Sequence, residues 1–110
     1  MQLSKKVLID VSEDASNSTG VQTDGLLLSG IVFPAAMTGS NVTFDFAFDG
    51  STWVDVVETD GTEVTYTVSA GNVTRVDPSG WAFASSGFLR ISSDDTEAAD
   101  RSIKLIFRTA

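Results

Sequence analysis

The chain has 110 residues, which is enough for one domain with a single hydrophobic core. It contains no cysteine and no histidine, so disulfides, thiolate metal sites and the usual general base at neutral pH are missing. Its 15 acidic and 7 basic residues give a formal net charge of −8, which repels phosphate backbones and anionic membranes. Composition therefore argues against triad and zinc chemistry and against binding to nucleic acid or membranes, and we predict a protein that is not an enzyme and needs no cofactor or metal.

The first 24 residues differ in character from the rest of the chain. Residues 5–11 are typical of a strand, whereas residues 12–23 are polar and contain glycine, which predicts a loop or a flexible arm. The apolar run near Val7 is far shorter than the core of a signal peptide or a membrane span. We therefore expect the chain to act where it is made, or inside an assembly built there.

The clearest strand signal lies in residues 41–48, where alternate positions are apolar: Val42, Phe44, Phe46 and Phe48. This period of two predicts a strand with one buried and one wet face. Aspartate-glycine pairs at 49–50 and 60–61 predict turns, and the extended segments 53–57 and 63–68 follow them. The spacing predicts a three-stranded meander.

Further strands are predicted at residues 26–33, 73–76, 81–84, 88–92 and 102–108. Residues 26–33 are nearly all apolar, which favours a strand covered on both faces. Residues 93–101 form the one long polar loop, with a single helical turn expected at 96–100. Together these signals predict an all-β fold, an antiparallel β-sandwich of jelly-roll type with about eight strands. Residues 1–24 are its N-terminal strand and loop or arm, and residues 25–110 its body, in a single domain.

Trp53 and Trp81 are the aromatic residues that a sugar-binding module would use, because a flat ring covers the apolar face of a pyranose. Both would equally serve as packing anchors, since aromatic side chains supply much of the buried area of a small sandwich. The packing role is the favoured interpretation for both residues.

Lys104 and Arg108 alternate along the last predicted strand and would point to the same face. On an otherwise acidic chain, such a basic row predicts an interface. It would equally protect a strand edge against aggregation, a role that lysine commonly plays.

The polar loop carries four acidic residues, Asp94, Asp95, Glu97 and Asp100. Calcium binds six to eight oxygen ligands, but the loop lacks the spacing of an EF-hand. Arg101 stands beside the group and would neutralise one carboxylate. The favoured interpretation is a solvated acidic loop without a metal.

Three segments occur in an order that resembles a recurring type of small tailed-phage virion protein. They are GLLLSGIVFPAAMTGSNVTFDFAFDGSTWVDVVETDG (residues 25–61), FLRISS (88–93) and DRSIKLIFR (100–108). In that family, a hydrophobic strand ends in a proline-alanine pair and leads to a hairpin with an aspartate-glycine turn and a tryptophan. The resemblance spans residues 25–108, and the first 24 residues show none.

The resemblance implies a decoration or cement protein that binds the assembled phage head and stabilises it. It further implies a homotrimer, the major capsid protein as partner, and a place on the capsid surface of the virion after synthesis in the host cytoplasm. The alternative is a carbohydrate- or receptor-binding module of a tail or head fibre. Exposed tryptophans beside free carboxylates would favour that alternative, whereas buried tryptophans would favour the decoration protein.

Overall fold

Nine strands form two antiparallel sheets in the computed structural model, which describes residues 2–109. The strands are β1 (Gln2–Ile9), β2 (Val21–Gln22), β3 (Leu27–Val32), β4 (Asn41–Ala47), β5 (Val54–Asp55), β6 (Thr65–Thr67), β7 (Val73–Arg75), β8 (Phe88–Ser93) and β9 (Arg101–Arg108). The four-stranded sheet has the order β1-β9-β3-β7, and the five-stranded sheet has the order β2-β8-β4-β5, with β6 also on β4. The predicted all-β antiparallel sandwich is confirmed.

Alternating side chains of both sheets build one core between them. In the four-stranded sheet, the residues that point inward include Val7 on β1 and Phe107 on β9, and both are fully buried. Phe44 on β4 and Ile91 on β8 do the same from the five-stranded sheet, and they are paired across their strands. The period of two in the sequence thus corresponds to the inward face of each strand.

β3 is covered on one face only, so the prediction that both of its faces are covered is wrong. Leu28 and Ile31 are buried in the core, whereas Leu27 and Val32 are half-buried on the other side of the sheet. Its position between β9 and β7 explains the apolar run, because neighbouring side chains shield both edges of an interior strand.

The predicted strand at residues 81–84 is wrong, because this segment belongs to a 3₁₀ helix at Pro78–Ala84. Asp77 caps the helix by accepting a hydrogen bond from the backbone N–H of Ser79, and the ring of Pro78 fixes its first backbone angle. Trp81 and Ala84 are the buried residues of this helix. Their spacing of three matches the turn of a 3₁₀ helix.

The predicted meander is also wrong, since β5 and β6 both pair with β4 and not with each other along their length. Together they form one interrupted strand beside β4. The loop between β5 and β6 leaves the sheet, and a β-bridge between Val57 and Glu63 joins the two ends of this loop. Gly50 and Gly61 do have positive φ angles of 80° and 88°, as the aspartate-glycine turns require.

The N-terminal segment is part of the sandwich. β1 pairs with β9 over its whole length, from Gln2 opposite Arg108 to Ile9 opposite Arg101. Residues 16–18 then lie along β8, where the backbone N–H of Ser18 donates to the carbonyl of Ile91 over 2.8 Å. Residues 10–20 thereby connect an edge of one sheet to an edge of the other.

Candidate interaction surfaces

Trp81 is a core residue. Its side chain is only 4% exposed, and its ring lies against Phe44 with 4.8 Å between the ring centroids. Its indole N–H donates to the hydroxyl of Tyr66 over 3.2 Å. Burial raises the pKa of that hydroxyl, and the hydrogen bond from Trp81 opposes the increase. In this arrangement neither face of the indole is open to a sugar.

Trp53 lies on the outer face of the five-stranded sheet, where it is partly buried. The guanidinium carbon of Arg90 is 4.7 Å from its ring centroid, a cation–π distance. Arg90 in turn donates to the buried carboxylate of Asp45 over 2.9 Å. The far edge of the indole packs so closely on Gly20 that a Cβ there would come within 2.6 Å of it. Trp53 therefore joins the β4–β5 loop to the β1–β2 segment.

Lys104 and Arg108 lie on the outer face of the four-stranded sheet, on one side of β9 as predicted. Two cross-strand rows of this face contain Lys6, Lys104, Val32 and Val73 in one row and Ser4, Ile106, Gly30 and Arg75 in the other. Four exposed cations thus share one flat surface, which we call the basic face: Lys6, Arg75, Lys104 and Arg108. Within residues 2–109, none of the four forms an ion pair.

Charge is strongly segregated between the four-stranded sheet and the rest of the chain. Six of the seven basic residues lie in strands of the four-stranded sheet, and none of the 15 acidic residues does. The rest of the chain holds one basic residue, Arg90, and all 15 acidic residues, a formal charge of −14. The net charge of −8 is therefore the sum of a positive four-stranded sheet and a strongly negative remainder of the chain.

A second surface is apolar and lies at the β5 edge of the five-stranded sheet. Four exposed side chains line one open pocket of about 370 Å³, and we call them the edge patch: Phe48, Val54, Val57 and Phe83. Phe48 is 84% exposed, so the prediction that it continues the buried face of β4 is wrong. The strand ends at Ala47, and the chain turns away through Gly50 before Phe48 can reach the core.

Acidic residues surround the edge patch. Asp55 lines the same pocket, and Glu58 and Asp77 line the adjoining pocket of about 460 Å³. Among the described residues, no basic one lines either pocket. The edge patch is therefore apolar at its centre and negative at its border, whereas the basic face is positive.

The acidic loop contains a buried anchor, so the prediction of a fully solvated loop is wrong at Glu97. Its side chain is paired with Arg101 over 2.8 Å, as expected, and accepts hydrogen bonds from the backbone of Thr38 and Gly39. Burial opposes ionisation, but these partners and the hydroxyl of Ser93 outweigh it and lower the pKa of Glu97 to about 2.

The predicted helical turn at 96–100 is absent as well. The inward position of Glu97 explains this difference, because its carboxylate holds residues 38 and 39 of the β3–β4 loop instead of capping a local helix. Gly39 leaves the space that this contact needs, since a Cβ there would lie 2.1 Å from the Ser93 hydroxyl.

Sequence reasoning found two of the four cations of the basic face and missed Lys6 and Arg75. Both lie in predicted strands, but only the pairing of β1 with β9 and of β7 with β3 brings them to the same surface. The edge patch was also missed. The aspartate-glycine pair directly after Phe48 was the available signal, because a turn there ends the strand.

Three structural findings bear on cofactors and membranes. Residues 2–109 contain no group of three or more acidic side chains placed to hold a metal ion. Every buried polar side-chain atom in the same part of the chain has a hydrogen-bond partner. No helix within the described residues is long and apolar enough to cross a membrane.

Comparison with known proteins leaves the structure as the main guide. No protein-family model matches the chain, and no curated protein is significantly similar to it.

Proposed function

We propose that this chain is a non-enzymatic structural protein of a phage virion, a decoration protein that binds the assembled head and stabilises it. Its partners are the major capsid protein and further copies of itself, with a homotrimer as the expected oligomer. It is made in the host cytoplasm and ends on the capsid surface. The order of sequence segments in residues 25–108 supports this proposal, and so does the character of the exposed surface.

The edge patch is the observation that carries the proposal. Soluble monomers rarely leave large apolar side chains together at the surface, and where they do, the patch commonly marks a contact with another protein. Phe48, Val54, Val57 and Phe83 are each at least half exposed and border one open depression. A shallow apolar border of this kind fits a protein surface better than a small ligand, which needs an enclosed cavity.

The two tryptophans favour the same class of function. Trp81 is part of the core, whereas Trp53 has Arg90 over one ring face and Gly20 against one edge. A carbohydrate module needs at least one open indole face beside free polar groups. The carbohydrate- or receptor-binding alternative would therefore depend on the face of Trp53 opposite Arg90, because Trp81 offers none.

A decoration protein stabilises the shell by mass action, because it binds the assembled state and not the separated subunits. The test uses heads prepared without the chain, to which the purified protein is added. We expect it to sediment with the heads and to raise the temperature at which they release their DNA. Failure to sediment, or identical release temperatures, would overturn the proposal.

The alternative is tested on the same preparation with a glycan array. Glycan binding that disappears in Trp53→Ala, together with unchanged release temperatures, would identify a carbohydrate-binding module instead. Trp81→Ala is unsuitable for this purpose, because removing a buried ring would destabilise the whole sandwich.

A further inference from the structure

The basic face is electrostatically unfavourable in an isolated molecule. Lys6 and Lys104 stand directly opposite each other on β1 and β9, and like charges in this position destabilise a sheet. No carboxylate lies in any of the four strands to compensate them. The charges of the two opposed lysines thus do not stabilise the isolated fold. A binding partner with negative charge would explain their presence.

The basic face also contains a groove with an apolar floor. Ile106 lies across Gly30, where a Cβ would come within 3.2 Å of the isoleucine side chain. Ile106 and Val73 line the groove together with Arg75 and Arg108, Asp77 adds one carboxylate to its lining, and its volume is about 620 Å³. The groove can therefore accept an apolar or aromatic side chain between two guanidinium groups, which bind aromatic faces well.

The chain itself carries a surface with the opposite properties. The edge patch presents Phe48 as an almost fully exposed aromatic side chain. Asp55, Glu58 and Asp77 provide negative charge around the patch. The apolar centre of the edge patch would contact the apolar floor of the groove, and its carboxylates would contact the cations that form no ion pair within residues 2–109.

We propose that the edge patch of one copy binds the basic face of a second copy, with Phe48 in the groove between Arg75 and Arg108. The contact is head-to-tail, so each copy uses one surface of each kind. The inference rests on the proposed function for its biological purpose, since it names the surfaces through which a decoration protein would associate with itself. The contact can be measured without capsids.

The position of the two surfaces is compatible with a closed ring. Asp77 borders both the groove of the basic face and the pocket beside the edge patch. The surfaces therefore lie on neighbouring sides of the sandwich, and the 3₁₀ helix contributes to both, with Pro78 in the groove and Phe83 in the edge patch. Successive copies joined in this way turn relative to one another, and a head-to-tail contact that turns can close on itself.

The expected strength of one contact is modest. Four strands about 4.8 Å apart and about six residues long present a face of about 300 Å². A standard interface buries about 800 Å² on each partner. The last contact of a ring forms between subunits that are already joined, so it costs no further loss of translational freedom. The oligomer should therefore form steeply as the protein concentration rises.

Salt should act in a characteristic way. Each copy carries a net charge of −8, so the molecules repel one another at long range. At physiological salt the screening length is about 8 Å, so repulsion between distant charges is weakened more than attraction between the charges in contact at the interface. At 1 M salt the screening length is about 3 Å, and the ion pairs of the contact are weakened as well. We therefore expect association to be weaker at 1 M salt than at physiological salt.

Sedimentation velocity at physiological salt, from about 5 to about 500 µM protein, tests the proposal with three variants. Phe48→Ser removes the side chain that enters the groove, and Arg75→Gln with Arg108→Gln neutralises its walls. Ala36→Glu with Ala99→Glu is the matched control, because it changes the net charge by the same amount at exposed loop positions. Circular dichroism establishes that each variant is folded.

We expect the wild type and the control to associate with concentration, and each of the two interface variants to bind at least about tenfold more weakly. Mixing the two interface variants should restore a dimer, because each retains the surface that the other lacks. A monomeric wild type over the whole range would overturn the proposal. So would a mixture that remains monomeric, or full association of the arginine variant.

The outcome is independent of the test of the proposed function. A wild type that stays monomeric but still binds heads would overturn the head-to-tail contact alone. A wild type that associates as described but never binds heads would overturn the decoration function alone.

Discussion

The two sheets of the sandwich are alike on their inner faces and opposite on their outer faces. Inside, each contributes alternating aliphatic and aromatic residues to one core, with Phe107 in the four-stranded sheet and Phe44 in the five-stranded sheet. Outside, the four-stranded sheet carries cations without carboxylates, whereas the five-stranded sheet pairs Arg90 with Asp45 under the ring of Trp53.

This difference separates the requirements of folding from those of binding. The inner faces are interchangeable in chemistry because both must exclude water. On the outer face of the five-stranded sheet, Arg90 neutralises Asp45 and the β1–β2 segment covers part of the surface, while Asp55 opposite Asp45 stays exposed. On the outer face of the four-stranded sheet, the four cations form no ion pair within residues 2–109, as expected for a surface that another molecule completes.

The inner faces should be equally important for stability. Phe44→Ala and Phe107→Ala each remove a fully buried ring, one from each sheet, and each should cost about 3–5 kcal/mol of unfolding free energy. Phe48→Ala, which removes an exposed ring, should change it by less than about 0.5 kcal/mol. Urea denaturation measures all three. A small cost for either buried residue would mean that one sheet does not share the core.

Removing the contact that Glu97 makes between two loops should have the next largest effect on stability. Glu97 holds the β3–β4 loop and pairs with Arg101 at the start of β9. Glu97→Gln leaves Arg101 without its partner, and breaking a buried pair costs about 3 kcal/mol. Asp95→Asn is the control in the same loop, where the side chain is exposed. Equal denaturation midpoints for the two variants would contradict the role of Glu97.

The same carboxylate predicts a pH dependence. The pKa of Glu97 is lowered from 4.5 to about 2 in the folded chain. A depressed folded-state pKa gives stability that is present above the unfolded pKa and lost as the pH falls toward the folded one. The stability difference between wild type and Glu97→Gln should therefore be constant above about pH 5 and shrink between about pH 4.5 and 2. A difference that persists at pH 2 would exclude ionisation of Glu97 as its source.

The turn that places the edge patch at the surface should have an intermediate effect. Gly50 has a φ of 80°, and a Cβ there would lie 3.3 Å from the ring of Phe88. Gly50→Val should cost on the order of 1–2 kcal/mol, because a β-branched residue is strained at this φ. Gly61→Val has the same backbone strain without a neighbour within 4 Å, so it should cost less. Unchanged thermal stability of Gly50→Val would contradict the turn.

A substitution on the basic face should have the smallest effect on the free energy of unfolding, and the direction of the change is what tests the argument. Lys104→Gln removes the repulsion from Lys6 and should stabilise the monomer by about 0.3 kcal/mol. Lys5→Gln is the matched control on β1, because it removes an ion pair with Asp24 and should be neutral or slightly destabilising. Measured at low concentration, a clear loss of monomer stability in Lys104→Gln would mean that this lysine serves the fold.

Local patterns in the sequence were sufficient for the fold class. Alternation in residues 41–48 and the two aspartate-glycine pairs depend only on neighbouring residues, and β4 and both positive φ angles agree with them. Where a segment depends on distant partners, local reasoning failed. Residues 81–84 were predicted as a short strand, but the capping by Asp77 and the packing of Trp81 on Phe44 accompany a 3₁₀ helix there.

The candidate surfaces show the same limit. Lys104 and Arg108 were predicted to share a face because they are four residues apart on one strand, and they do. The opposition of Lys6 and Lys104 requires residues 98 positions apart to meet, which only the pairing of β1 with β9 decides. The buried position of Glu97 likewise depends on the backbone of residues 38 and 39.

The sequence by itself determined that this protein is an all-β sandwich with an acidic net charge. Alternation and turn chemistry act over a few residues, and charge is a sum that needs no coordinates. Only the tertiary structure decided where that charge lies. It collected six of the seven basic residues in one sheet and all 15 acidic residues elsewhere, because strand order brings together segments that are far apart in the chain.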